Sequence, residues 1–191
     1  MQFRQFSKQI MQAALVLLCI FSVSGLSAGP KYDKRGRNVK DASVYAQLSS
    51  SQTQLPGINT AATVAMEHVD ALAGIAVHND KIIEILEEGV YVITANVMAG
   101  NNGLGVHGGL NLWLNHNSEV LKHTVVYQTV QSDVDYGSTV STQSVAKLKK
   151  GDQISVGIAV TSPLIGLISS SDILNSNQTS SVLFTVYKIG S

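Results

Sequence analysis

Cysteine is nearly missing from this chain. The single one, Cys19, lies in a segment expected to be removed on export, which leaves the mature protein with none. That excludes disulfide staples, thiolate metal sites and a cysteine nucleophile. Stability must come from burial, within one subunit or shared between subunits. Charge is scarce too: 14% of residues carry it, and 13 basic side chains balance 13 acidic ones. Lys31, Lys34, Arg35, Arg37 and Lys40 crowd into a short stretch. From Asp41 onward acids outnumber bases two to one. A nucleic-acid partner needs the opposite balance, so none is expected. The basic stretch reads as a solvated, flexible leader, with contact to an anionic surface as the other reading. No long hydrophobic run is present. The longest, Met11 to Val23 (MQAALVLLCIFSV), is about half of the roughly 20 residues that a membrane-spanning helix needs. Helical periodicity, an internal repeat and a Gly-X-Y run are all lacking.

The start of the chain is informative. Arg4 and Lys8 precede the apolar run, and Ser24, Gly25, Ser27 and Ala28 follow it, with Gly29-Pro30 closing the segment. A positive start, a short apolar stretch and a small-residue exit describe a secretory signal peptide. Residues 1–28 are therefore expected to be a signal peptide, 29–40 a basic flexible leader and 41–191 the working domain. A retained N-terminal anchor is the alternative. The protein is expected to be secreted or held at the cell surface, touching membrane only through an uncleaved leader. A mature chain of roughly 160 residues suits one domain with a sizeable core.

The body reads as strands. Turn residues recur at short intervals, and several segments alternate. In Val90 to Ala99 the residues Tyr91, Ile93, Ala95 and Val97 share one apolar side. Leu110, Leu112 and Leu114 do so against Asn111, Trp113 and Asn115, and Ile154, Val156, Ile158 and Val160 against Ser155, Gly157 and Thr161. Period-2 alternation puts one set on a core and the other on solvent, the mark of an antiparallel sheet. Strands are expected near 43–49, 61–68, 81–87, 90–99, 109–115, 119–130, 138–148, 153–161 and 180–189. The last differs from the rest. Val182, Phe184 and Val186 make one apolar face and Leu183, Tyr187 and Ile189 most of another, so cover is expected on both sides. The fold class is all-β: an antiparallel two-sheet sandwich, most simply a jelly roll.

Five segments, in order, resemble the globular C1q head and its tumour-necrosis-factor-like relatives. Glu88-Gly89-Val90-Tyr91-Val92-Ile93 is similar to their Gly-x-Tyr strand, and Leu112 to Asn117 (LWLNHN) to an apolar strand ending in an Asn-rich turn. Leu148 to Val156 (LKKGDQISV) resembles the Leu-x-x-Gly-Asp-x-Val-x-Val segment linking two late strands. Ser181 to Ile189 resembles the hydrophobic last strand, and Ser43 to Ser49 the first. The resemblance spans Asp41 to Ser191. It implies a non-enzymatic homotrimer. First and last strands would be neighbours in a sheet whose outer side meets two sister subunits. Tyr45, Met98, Leu183, Tyr187 and Ile189 would then lie at the trimer interface. The chain departs from stalked members in having no collagen-like stalk, and it is poorer in aromatics than the vertebrate heads.

Other motifs point less far. Gly103 to Gly108 (GLGVHG) matches G-x-G-x-x-G, but a strand follows it where a dinucleotide site needs a helix. His68, His78, His107, His116 and His123 are scattered, with no paired zinc spacing. Serines abound without a G-x-S-x-G elbow. Glu87 and Glu88 point to opposite faces of a strand. Asp133 and Asp135 share a side and are the one pair suited to calcium through oxygen ligands, although solvated loop acids are the simpler reading. No cofactor is expected otherwise. Asn177-Gln178-Thr179 is a glycosylation acceptor if the source is eukaryotic. Trp113, opposite Leu112 and Leu114, is either covered or a contact for an extracellular protein or glycan ligand. The expected function is a secreted trimeric binding or surface-structural module. A carbohydrate-binding jelly roll acting as monomer or dimer is the alternative, and an enzyme with a site assembled from distant residues the third.

Overall fold

The computed structural model of the chain describes residues 31–32, 38–39, 44–103, 105–132, 137–169 and 179–191. The expected signal peptide, Asp133, Asp135 and Asn177 lie outside the described residues. The chain divides into two units, Met1–Asp41 and Ala42–Ser191. In the first, β1 (Lys31–Tyr32) and β2 (Asn38–Val39) pair as a short antiparallel ladder.

Every regular element described in the second unit is a strand. In chain order these are β3 (Tyr45–Ser50), β4 (Ala62–Thr63), β5 (His68–Ala73), β6 (Ile75–His78), β7 (Ile82–Ile85), β8 (Gly89–Asn101) and β9 (Val106–His116). There follow β10 (Glu119–Val120), β11 (Val126–Ser132), β12 (Ser138–Leu148), β13 (Gln153–Val160), β14 (Ile165–Leu167) and β15 (Val182–Gly190). One sheet runs β12-β8-β15-β3-β5, with β14 also on β8. The other runs β10-β9-β13-β7-β6, with β11 on β9 and β4 on β13. The ladders are antiparallel, and the two sheets pack face to face as a sandwich, the fold class that alternation predicts.

The core follows the alternation. Tyr91, Ile93, Ala95, Val97 and Ala99 of β8 are buried, as are Val182, Phe184 and Val186 of β15. Across from them lie Leu110, Leu112 and Leu114 of β9 and Ile154, Val156, Ile158 and Val160 of β13, all in one apolar cluster. Each buried Val, Leu, Ile or Phe among them stabilises the fold by roughly 1.5–3 kcal/mol through burial alone. Two hairpins turn through paired left-handed residues, Asn79 and Asp80 (φ 51° and 54°) and Asn117 and Ser118 (φ 52° and 69°). Such mirror-image turns match the strand twist, and Asn and Asp tolerate them best.

Two expected strands are cut short. Over 61–68 only Ala62 and Thr63 join the ladder on β13, at Ile158 and Gly157, and His68 already belongs to β5 on the other sheet. Val64 N still donates to the Val156 carbonyl at 2.9 Å, but the next two donors are diverted. Ala65 N donates to the Gln54 side chain at 2.8 Å, and Met66 N donates to the Asp80 carbonyl at 2.6 Å. The segment 119–130 is broken into β10 and β11 by a turn at His123 (φ 63°). Thr124 fixes that turn: its hydroxyl donates to the Leu121 carbonyl at 2.7 Å and accepts from Leu114 N at 3.1 Å.

Candidate functional site

The outer face of the β12-β8-β15-β3-β5 sheet carries an apolar row at one end. Cross-strand partners in a sheet share a face. Register sets Ala73 beside Tyr45, Tyr45 beside Tyr187, Tyr187 beside Val92 and Val92 beside Val145. One unbroken apolar row thus crosses all five strands. Tyr45 is 37% exposed, Tyr187 44% and Val145 63%. Ile189, at an irregularity in the β15–β8 ladder, adds a further side chain that is 55% exposed.

Further along the sheet the face turns polar. The next row is Ala71, Gln47, Thr185, Thr94 and Gln143, and the one after is His68, Ser49, Leu183, Asn96 and Ser141. Ser141 Oγ donates to Asn96 Oδ1 at 2.7 Å. Tyr45 and Tyr187 are therefore brought together, with Ile189 two residues further along β15. Leu183 is on the same face but among polar neighbours. Met98, half-buried, lies beyond that polar zone, packed so closely on Gly137 that a Cβ there would meet its Cγ at 2.6 Å. Val92, Val145 and Ala73 complete the row without a signal in the sequence, because only the pairing of distant strands aligns them.

Chemistry elsewhere is sparse. Ser51 Oγ lies 3.2 Å from His68 Nε2, and Glu67 Oε1 lies 3.5 Å from the same nitrogen. A catalytic relay needs the acid on the opposite ring nitrogen, so this cluster has the wrong geometry for an activated serine. His116 Nε2 meets Asp152 Oδ2 at 2.9 Å, joining the β9–β10 and β12–β13 turns. Among the described residues no group of three or more His, Cys, Asp or Glu side chains gathers as a metal set.

Asp152 does structural work there. Burial acts to raise its pKa, but hydrogen bonds from Lys149 N–H, Asn117 and His116, with the charge of His116, bring it below the ordinary carboxylate value. The folded pKa lies below the unfolded one. The carboxylate therefore stabilises the fold above about pH 4 and loses that effect as pH falls through the folded value. Asp152→Asn is expected to cost about 1–2 kcal/mol at pH 7 by urea unfolding. The deficit should shrink at pH 2.5. A deficit unchanged between the two pH values would assign it to shape, not charge.

The second sheet presents a different outer face. Trp113 pairs with Gly157, and its indole lies across that glycine so that any Cβ there would overlap the ring. Trp113 Nε1 donates to Asn115 Oδ1 at 2.8 Å, and Asn115 Nδ2 donates to Ser155 Oγ at 3.3 Å. The ring covers backbone and is itself half-buried. The clue in the sequence is Gly157 itself, a glycine inside an alternating strand, which often marks a close approach. Tyr127 lies across Gly109 in the same way. Comparison with protein-family models and with curated proteins gives no match to the chain.

Proposed function

We infer that the chain is a secreted, non-enzymatic module of the C1q and tumour-necrosis-factor type that assembles as a homotrimer and serves binding or surface structure. One observation carries this reading: the apolar row Ala73–Tyr45–Tyr187–Val92–Val145 on the outside of the sheet in which β3 and β15 are neighbours. A soluble subunit alone would leave that row wet, which monomers usually avoid. Closed three-fold packing covers it three times and leaves no free end for fibres. The neighbouring β3 and β15 strands fit the jelly-roll arrangement that the resemblance implies. The polar rows beyond suit a rim that stays hydrated.

Light scattering of the secreted chain tests the reading. A mass of three protomers at micromolar concentration is expected. A one-protomer mass would overturn it. The alternative, a carbohydrate-binding module acting as monomer or dimer, is favoured by the aromatic and amide side chains on the opposite sheet.

A further inference from the structure

The outer face around Trp113 has the makings of a binding surface of defined chemistry. Two aromatic rings are pinned flat by glycines. Trp113 lies on Gly157 and Tyr127 on Gly109, and neither glycine could carry a Cβ without displacing the ring above it. Between them is Asn111, which pairs with Tyr127 on one side and Ala159 on the other. Its amide is committed to no side-chain hydrogen bond among the described residues, whereas that of Asn115 is held by Trp113 and Ser155. Tyr127 is 59% exposed. Residues 109–115, 125–129 and 155–161 include no Asp, Glu, Lys or Arg.

Each feature restricts the ligand. The patch formed by these residues carries no charge to attract or desolvate an ionic group, which disfavours phosphate, sulfate or acidic ligands there. Flat rings held in place lose little freedom on binding and offer the electron-rich π face to C–H groups. Amides and hydroxyls spaced among them both donate and accept hydrogen bonds. A neutral, polyhydroxylated, ring-shaped ligand satisfies all three. We propose that this face binds neutral oligosaccharides, with a pyranose stacked on Trp113, a further sugar against Tyr127, and Asn111 hydrogen-bonding the hydroxyls between them. This deepens the binding-module reading, on which it rests for its role. It does not need the trimer, because every residue belongs to one subunit.

Trp113 is the chain's only tryptophan, so its fluorescence reports on the proposed contact directly. The secreted chain would be titrated with cellohexaose, xylohexaose, mannohexaose and chitohexaose. A saturable change in emission with at least one is expected. Asn111→Ala and Tyr127→Ala should each weaken that binding by about tenfold, or about 1.4 kcal/mol, with thermal unfolding unchanged. Trp113→Phe keeps a ring over Gly157 and, followed by calorimetry, should bind more weakly than the parent but still detectably. No emission change with any of the four sugars overturns the inference. So does binding that neither Asn111→Ala nor Tyr127→Ala alters. Mass is measured on the same samples: sugar binding by a monomer would reject the trimer alone, and a trimer without sugar binding would reject this inference alone.

Discussion

If the chain is the proposed homotrimer, Tyr187→Asp is expected to reduce its particle mass from three protomers to one. Tyr187 sits near the middle of the apolar row, between Tyr45 on β3 and Val92 on β8. In the trimer its ring would be removed from water, contributing roughly 2 kcal/mol per subunit by area before ordering costs. A carboxylate in its place would have to be buried without a partner or forced to take up a proton, and either costs several kcal/mol. Within one subunit the ring is 44% exposed and points away from the core, so the protomer itself should still fold. Circular dichroism and sedimentation separate the two effects. Tyr187→Phe, which keeps the apolar area, should remain trimeric. A Tyr187→Asp protein that keeps the wild-type trimeric mass would place the subunit contact on another surface.

Phe184→Ala should bring the second large effect, on the fold and not the assembly. Phe184 is fully buried and paired with Leu48 and Ala95 on either side. Truncating a buried phenylalanine costs about 3–5 kcal/mol through lost transfer energy and the cavity left behind. Against a total of roughly 5–15 kcal/mol for a domain, that is enough to leave the variant marginal. Urea unfolding should show the midpoint falling with little change in slope. Leu183→Ala, one residue earlier on the outer face, should change the unfolding free energy of the dissociated chain by less than about 1 kcal/mol. Equal losses at both positions would contradict the two-faced reading of β15.

The two faces of β15 were legible because alternation is a local signal. The same holds for Tyr91 to Ala99 in β8, Leu110 to Leu114 in β9 and Ile154 to Val160 in β13, where every second residue is apolar and buried. The pattern failed where strands are short or exposed. β5 reads HVDALA: Val69, Ala71 and Ala73 fall at every second position, but Leu72 interrupts the polar set and both faces are partly wet. β14 is three residues long and buried throughout, too brief to show a period. The candidate sites were legible only in part, for a related reason. Tyr45, Tyr187 and Ile189 could each be seen as outward residues, and so could Trp113. The apolar row and the Trp113 platform depend on register between strands far apart in sequence. Gly157 becomes the floor under Trp113 only when β13 pairs with β9, and no local pattern encodes that pairing.

The seating of β15 between β3 and β8 has a consequence for how the chain reaches its native state. Ser181 Oγ donates to the Ser50 carbonyl, a partner 131 residues away, and the β3–β15 ladder extends from that point. Every earlier strand can be synthesised while this gap in the sheet stays open. Until β15 enters, β3 and β8 each present a row of unpaired amides and carbonyls, the kind of edge on which chains join wrongly. Closing so large a loop places the domain among slow folders, in the millisecond-to-second range, where helical proteins of similar size need far less time. The most exposed moment in the life of this protein is therefore the interval before Val182–Gly190 slots home between β3 and β8.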